Sequence, residues 1–363
     1  MSVRRKKNKL SSKVKPRAGV LHAHASVDLT RLLDIVASFP RRTICVVGDF
    51  VLDQFVSGEI SRISREAPVL ILRHHRTEAY PGGAANAVNN LADLGAKVLP
   101  VGVVGDDHEG QILLDYFRGK RIDTSAILRT GDRATTTKTR YLAGWTHTTE
   151  QQVLRVDREP REELPERIRK SLERKSRKAA KSADAVLVSD YGLGAASPEI
   201  VRKLSARCMT LDSRYRLLEY RGASITAATP NEPELEAAYH LTVGNDTQRL
   251  EELGRRTALD LGLEALVVTR GKDGMAVFEN GAGKQECAHH IAIYGSDAPV
   301  DVTGAGDTVI AVFTLALAAG ASYLEAAHLA NYAGGIVVMK RRTATVTRAE
   351  LEVVLRREAT AQR

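Results

Sequence analysis

An α/β fold, with a mostly parallel central sheet covered by helices and a small antiparallel β lid, is predicted by three observations. From about Thr43 onward, short apolar β-branched runs alternate with helix-like stretches, the rhythm of strands joined by helical crossovers. Four other strand-like runs have no helix between them, which reads as a separate small sheet lying over the main one. The chain has 363 residues, 43% apolar and 27% charged, enough for one large unit that buries roughly three quarters of its unfolded surface. Disorder of the whole chain is excluded.

The main sheet opens with Thr43–Val47 and is extended by Val98–Val104, Ala185–Ser189, Met209–Asp212, Ser224–Ala228, Ala265–Thr269 and Met275–Glu279. Helices are expected at Gly83–Leu94, Pro198–Ala206, Glu232–Tyr239, Thr247–Leu261, Ala305–Ala319 and Tyr323–Met339. Lid strands fall at Phe55–Glu59, Val69–Arg73, Thr135–Leu142 and Gln152–Asp157, within lid segments of about 54–75 and 133–158. Arg158–Lys181 is rich in Arg, Lys and Glu, with Pro160 and Pro165 near its start, and reads as a solvated helix rather than a nucleic-acid stripe. The domain boundaries read as a basic, disordered arm over 1–25, one folded domain over 26–350 and a tail over 351–363.

The net charge of +9 suggests nucleic acid until it is located. Residues 1–17 hold eight of the 53 Lys and Arg and no acid, which leaves 45 basic against 44 acidic side chains in the body. A balanced body with a basic arm makes nucleic acid an unlikely partner. The apolar stretch Val309–Ala321 would be about 20 Å long as a helix, well short of a bilayer. No secretory h-region follows the first residues, so the cytoplasm is the expected compartment. Cys45, Cys208 and Cys287 are far apart and read as structural thiols. The pairs His74–His75 and His289–His290 would point to opposite faces of a strand, which argues against a shared metal.

The most informative segment is Asp301-Val-Thr-Gly-Ala-Gly-Asp307, which opens an apolar helix. Small residues admit an anion to the backbone, where the free N–H groups and dipole of a first turn favour negative charge. Asp307 can face a substrate hydroxyl there and take its proton, or it can merely complement the helix dipole. Pro81-Gly-Gly-Ala-Ala-Asn86 opens another helix, giving backbone access and an amide for hydroxyls, or else a tight strand-to-helix turn. Gly48-Asp-Phe-Val-Leu-Asp53 follows the first strand, where open α/β sheets bind ligands, and its two carboxylates suit sugar hydroxyls. Asn231 and Glu234 lie three apart at another helix start, a fit for Mg²⁺ and its waters or for a capping box. Thr269-Arg-Gly-Lys-Asp-Gly274 is a turn between strands or a nucleotide-edge loop. No Walker motif and no G-x-G-x-x-G occurs.

Gly82-Gly83-Ala-Ala-Asn86 near the start and Asp301-Val-Thr-Gly-Ala-Gly-Asp307 near the end are paired signatures, and with them the chain from Thr43 to about Thr347 resembles the ribokinase-like (PfkB) carbohydrate kinases. Gly48-Asp-Phe-Val-Leu-Asp53, Ser61-Arg-Ile-Ser-Arg-Glu-Ala-Pro68, Gln151-Gln-Val-Leu-Arg-Val-Asp157 and Ser189-Asp-Tyr-Gly192 are most similar to the D-glycero-β-D-manno-heptose 7-phosphate kinases. The resemblance implies a ribokinase-like three-layer fold and transfer of phosphate from ATP to the anomeric hydroxyl of the heptose phosphate. In that reading Asp307 is the base, and Gly304, Ala305 and Gly306 form the anion hole. Asp53, Gly82, Gly83, Asn86, Arg140 and Asp190 hold the sugar. Asn231 and Glu234 serve the metal-nucleotide end, with Mg²⁺ held by Glu234 through water, and Thr269, Gly271, Gly274 and Asn331 lie along ATP. A K⁺ site near Asp301 and Thr303 is implied as well.

A phosphorylated sugar also needs cations at its far end, for which Arg62, Arg65, Lys138, Arg140 and Arg155 are candidates; each can equally pair with a nearby acid. Three departures from the resemblance stand out. Asp212-Ser213-Arg214 replaces an Asp-Pro-Lys segment, Gly144–Glu150 adds length to a lid loop, and Arg342 takes the place of a glycine near the K⁺ loop. The chain ends at Arg363, from which the reaction is expected to stop at the bisphosphate. Apolar lid residues Val69, Ile71 and Val153 lead to an expected homodimer through the lid. The rival readings are a PfkB kinase for ribose, fructose or fructose 6-phosphate, and a non-catalytic sugar- or nucleotide-binding protein whose arm engages nucleic acid or membrane.

Overall fold

The computed structural model describes residues 27–144, 150–280 and 287–361. The basic arm and most of the lid insertion around Trp145 lie outside the described residues.

The chain enters through α1 (Leu29–Ser38), whose start is capped by the Asp28 carboxylate accepting the Thr30 N–H at 2.8 Å. Leu29, Leu32, Ile35 and Val36 recur at helical spacing and are buried, so this helix stands on a stripe the sequence already carried. β1 (Thr43–Gly48) follows, then two long lid strands, β2 (Phe50–Ile63) and β3 (Leu70–Gly83), and α2 (Ala84–Asp93). The expected strand Val98–Val104 divides at Gly102 into β4 (Lys97–Val101) and β5 (Val103–Gly105), and only a glycine fits at 102, where a Cβ would lie 2.7 Å from the Gly48 carbonyl. Pro100 is tolerated in β4 because that strand is a sheet edge. Then come α3 (His108–Gly119), β6 (Leu128–Thr130), β7 (Thr136–Gly144) and β8 (Gln151–Arg158).

The charged stretch is helical as read, α4 (Glu166–Ala180), burying only Ile168, Leu172, Ser176 and Ala180. After β9 (Ala185–Asp190), the helix expected over Pro198–Ala206 is a single turn, α5 (Pro198–Val201). β10 (Met209–Ser213), a two-residue β11 (Ala227–Ala228), α6 (Glu232–Tyr239) and α7 (Thr247–Leu261) continue the alternation. β12 (Ala265–Thr269), β13 (Met275–Glu279) and β14 (Cys287–Ile291) form the far edge, and α8 (Ala305–Ala318), α9 (Tyr323–Val337) and α10 (Arg348–Ala361) complete the domain. The boundary expected at 350 falls inside α10, where Leu351 and Leu355 are fully buried. The helix therefore belongs to the domain rather than to a tail.

The main sheet runs β14-β13-β12-β11-β10-β9-β1-β4, parallel from β12 to β4 and antiparallel at β13 and β14. Alternate strand residues feed two cores, as the pleat requires. Ile44, Val46, Leu187 and Val267 face α1, α2, α8 and α9, whereas Cys45, Val47, Val188 and Leu266 face α4, α6 and α7. Fully burying each such aliphatic side chain contributes roughly 1.5–3 kcal/mol. Burial pushes the Cys45 thiol up to about 12 and the Cys208 thiol to about 11, so neither is a nucleophile at neutral pH.

The lid is a four-stranded sheet, β3-β2-β7-β8. Its outer pairs are antiparallel, and its central β2–β7 pair is parallel. β2 leaves the end of β1 after one residue, so its first residues, Phe50–Asp53, are buried at the sheet edge while Ser61–Ile63 are exposed. The lid thus grows directly out of the floor of the site.

Candidate active site

Parallel strands place their carboxyl ends on one edge, and Gly48, Asp190, Asp212 and Thr269 stand there on β1, β9, β10 and β12. Asp49 also stands there, but not as a sugar ligand. It is buried and accepts the N–H groups of Tyr191, Leu193 and Ala195 at 2.8–2.9 Å. Burial, then repulsion from Asp190, pushes its carboxyl up to about 6 against those three N–H groups. Of the two carboxylates expected to meet a sugar, only Asp53 reaches the cavity.

The cavity holds about 490 Å³. At one end lie Asp53, Gly83, Lys138 and Arg140. Register explains the grouping: Asp53 pairs with Lys138 across β2–β7, and Arg140 is two residues on, on the same face. Arg140 Nη1 lies 2.6 Å from Asp53 Oδ1, and Thr343 Oγ1 donates to Asp53 Oδ2 at 3.1 Å. Gly82 leaves room for this carboxylate, since a Cβ there would sit 2.4 Å from Asp53 Oδ2. Asp190 lines the wall but is tethered by Arg216, by Ser213 Oγ at 2.9 Å and by Gly192 N at 2.9 Å, so it organises the β9 turn.

The segment expected to seat an anion is the start of α8. Gly304 has φ +78°, and a Cβ there would lie 2.4 Å from Asn86 Nδ2. Only glycine fits both demands. Asn86 Nδ2 donates to the Gly304 carbonyl at 3.2 Å and to Asp307 Oδ2 at 3.0 Å. Asn90 fixes the orientation of that amide by donating to Asn86 Oδ1 at 3.1 Å. Tyr191 donates its hydroxyl proton to Asp307 Oδ1 at 2.8 Å. The Ala305 N–H is spent on the Val302 carbonyl at 3.2 Å, so the expected three-residue hole narrows. Gly304 and Gly306 line the cavity, and the amides of Gly306 and Asp307 have no backbone acceptor among the described residues.

Burial pushes the Asp307 carboxyl up to about 7; the Asn86 and Tyr191 hydrogen bonds pull it down, nearby Asp53 pushes it up and Lys138 pulls it down. Each carboxylate oxygen keeps a second lone pair. A buried carboxylate half-ionised near neutrality, beside two free amides, can take a proton from a hydroxyl while those amides receive the anion being transferred.

At the other end stand Thr229, Asn231, Glu234 and Thr269. Asn231 and Glu234 form the capping box that their spacing also allowed: Asn231 Oδ1 accepts from Glu234 N at 2.8 Å, and Glu234 Oε2 accepts from Asn231 N at 2.9 Å. Both nonetheless face the cavity. Sequence reasoning missed Asp212 as a site residue. Burial, then Glu234, Asp307 and Asp190, push its carboxyl well above the ordinary range, while Arg214 opposes them. Its signals were an aspartate ending a predicted strand and its place in the segment that replaces Asp-Pro-Lys. Thr269 reaches the cavity through a bridge to Asn231, but Gly271, Gly274 and Asn331 do not line it. Gly274 is required because a Cβ there would lie 2.0 Å from the Ile291 carbonyl, and Asn331 donates to the Ala292 carbonyl at 2.8 Å.

Thr303 lines the cavity, and Asp301 beside it accepts two N–H groups, from Thr303 and Arg342, both at 2.9 Å. Arg155 reaches the cavity while paired with Asp157 at 2.9 Å. Arg62 and Arg65 are exposed on the lid, outside it. Among the described residues no group of three or more His, Cys, Asp or Glu is arranged to hold a metal directly, and His290 pairs with Glu251 at 3.1 Å. Among the same residues, no helix is long and apolar enough to cross a membrane.

Comparison with known proteins agrees with this geometry. The chain is 38% identical over 328 residues to the bifunctional protein HldE of Desulfatibacillum aliphaticivorans, covering 88% of this chain and 64% of that one. It is 40% identical over 324 residues to the protein of that name from Mesorhizobium japonicum, covering 87% and 62%. The chain thus spans under two thirds of these relatives. Among solved structures it resembles Arabidopsis thaliana ribokinase complexed with ribose and ATP, with a TM-score of 0.64 at 17% identity over 86% of this chain and 98% of that one. It also resembles the tetrameric inhibited form of Escherichia coli phosphofructokinase-2, with a TM-score of 0.68 at 16% identity over 88% and 99%. Residues 41–349 match the pfkB family of carbohydrate kinases as a whole. Those residues include the glycine turn at the start of α8, the buried Asp307 and the cavity-lining Asp53 on a ribokinase-like sheet, and the chain belongs to the pfkB carbohydrate kinase family.

Proposed function

We propose that this sugar kinase transfers the terminal phosphoryl group of ATP to the anomeric hydroxyl of D-glycero-D-manno-heptose 7-phosphate, giving the 1,7-bisphosphate. The observation that carries the reading is that Asp307 shares one cavity with Asp53 and the Gly304–Gly306 turn, with Asn86 hydrogen-bonded beneath. The likeness to the HldE proteins supports the choice of sugar.

In this mechanism Asp53 and Arg140 position the sugar, and Gly83 admits it close to the backbone. Asp307 accepts the proton of the attacking hydroxyl, and the Gly306 and Asp307 amides face the phosphoryl oxygens. Lys138 and Arg155, which line the same cavity, are assigned to the phosphate already on the sugar, which needs cations. Asn231, Glu234 and Thr269 take the nucleotide end, with Arg214 beside them. The crowded carboxylates of Asp212 and Glu234 fit the waters of a Mg²⁺, whose chemistry when bound is to neutralise phosphate charge. A K⁺ near Asp301 and Thr303 stays compatible with this reading, because each Asp301 oxygen accepts one backbone N–H and keeps a second lone pair.

A steady-state panel tests the acceptor. The heptose 7-phosphate is expected to give the highest kcat/KM; equal or better turnover of ribose, fructose or fructose 6-phosphate removes the assignment.

We also propose that two copies pair through the lid. Ile63, Val69 and Leu154 are 65%, 56% and 55% exposed on it, a patch that a second lid can cover. Light scattering of protein with Val69 and Ile71 changed to charged residues should read one chain where the unmodified protein reads two. An unchanged mass rejects this interface.

A further inference from the structure

Arg342 joins parts of the molecule that the fold otherwise keeps apart. It lies between α9 and α10 with φ +69°, a left-handed backbone unfavourable to any residue with a Cβ. Its N–H donates to Asp301 Oδ2 at 2.9 Å, bracing the loop that ends in Gly304. Its guanidinium reaches the lid instead. Nη2 lies 3.2 Å from Glu78 Oε2 and 3.0 Å from Glu150 Oε2, and donates to Ser57 Oγ at 3.2 Å. The group stacks 5.0 Å from the Phe55 ring centre, and the side chain is only 13% exposed. The next residue, Thr343, holds Asp53 Oδ2, and its methyl carbon stands 3.0 Å from where a Cβ on Gly304 would be.

We propose that Arg342 is a positioning residue for phosphoryl transfer: it latches the lid to the anion-seat loop, so that Asp53 on the lid strand and Gly304–Asp307 on α8 keep one spacing. The proposal rests on the roles given above to Asp53 and Asp307. The grip spans three lid segments, since Ser57 is on β2, Glu78 on β3 and Glu150 just before β8. A planar guanidinium can serve two carboxylates and a hydroxyl at once, which an ammonium does less well. A glycine would relieve its strained backbone but would lose every guanidinium contact to the lid. Glu78 and Glu150 keep a second cation in Arg76, at 3.1 and 3.4 Å, so removing Arg342 leaves neither one unpaired.

The test compares unmodified protein with Arg342→Gly and Arg342→Lys, using ATP and D-glycero-D-manno-heptose 7-phosphate. The glycine variant relieves the backbone at φ +69° but loses the guanidinium contacts and gains unfolded-state freedom, opposing effects that should leave its melting midpoint within about 4 °C of the parent. Its kcat/KM for the sugar should fall roughly 10- to 100-fold with KM for ATP unchanged, and the lysine variant should be intermediate. Amide hydrogen exchange without substrate should quicken at 54–60 and 300–306 together in the glycine variant. The latch requires both results. Unchanged exchange, unchanged kcat/KM, or a midpoint so much lower that the variant is partly unfolded at the assay temperature each overturns it. Should the unmodified protein not turn over the heptose phosphate, the substrate assignment fails and the exchange result alone decides the latch.

Discussion

Asp307→Asn is expected to lower kcat by roughly 10³- to 10⁴-fold, the upper part of what a positioned base supplies, with nucleotide affinity little changed. The substitution is nearly isosteric and keeps its neighbours satisfied. The new amide can turn its oxygen to Asn86 Nδ2 and its NH₂ to the Tyr191 hydroxyl, which can accept. A loss of activity would therefore report on the missing base rather than on misfolding. Stability should move the opposite way. The Asp307 carboxyl is raised from 3.8 to about 7 in the folded protein, so between those values the folded chain holds a proton that the unfolded chain has released. Folding stability from this group is present below about 4 and is lost as pH rises to about 7. Thermal melts at pH 8 should find the asparagine variant more stable than its parent, and the difference should vanish in acid. A slower yet tougher enzyme is the signature of a carboxylate kept for chemistry.

Gly304→Ala should cost roughly 100-fold in kcat together with a lower melting midpoint. Two penalties add there. An alanine at φ +78° is unfavourable by about 1 kcal/mol, and its Cβ would lie 2.4 Å from Asn86 Nδ2. Asn86 must shift, and the amide that aims Asp307 shifts with it. Gly222 separates the two penalties because it has the same φ of +78° with nothing within 4 Å of a Cβ. Gly222→Ala should lower the midpoint by only about 2–4 °C and leave kcat unchanged. Equal kinetic effects at the two glycines would mean that the Asn86 contact is unimportant.

These residues divide into those a local pattern discloses and those it does not. α6 (Glu232–Tyr239), α7 (Thr247–Leu261) and β12 (Ala265–Thr269) fall where they were predicted because apolar period, caps and turn residues all agree within each segment. The Gly304–Asp307 turn was legible for the same reason. α1 carried a readable cap and stripe and was overlooked. The lid strands were predicted too short because β2 is wholly buried at its start and exposed at its end, so no period-2 pattern runs along it. Asp49 and Asp53 look alike at the end of β1, and what separates them lies far off in sequence. Three amides of 191–195 claim Asp49, whereas Arg140 and Thr343 leave Asp53 at the cavity. Asp212 was hidden for the same reason, since its neighbours Glu234 and Asp307 arrive from two other elements.

The most direct measurement of the central claim is the pH dependence of kcat/KM for the acceptor sugar, which reports groups of the free enzyme. With Asp307 as the base and its carboxyl at about 7, the unmodified protein should gain activity tenfold per pH unit up to about 7 and then level off. The residual activity of Asp307→Asn should lack that limb. A profile that is flat through neutrality in the unmodified protein, or a limb that persists in the variant, would contradict the account.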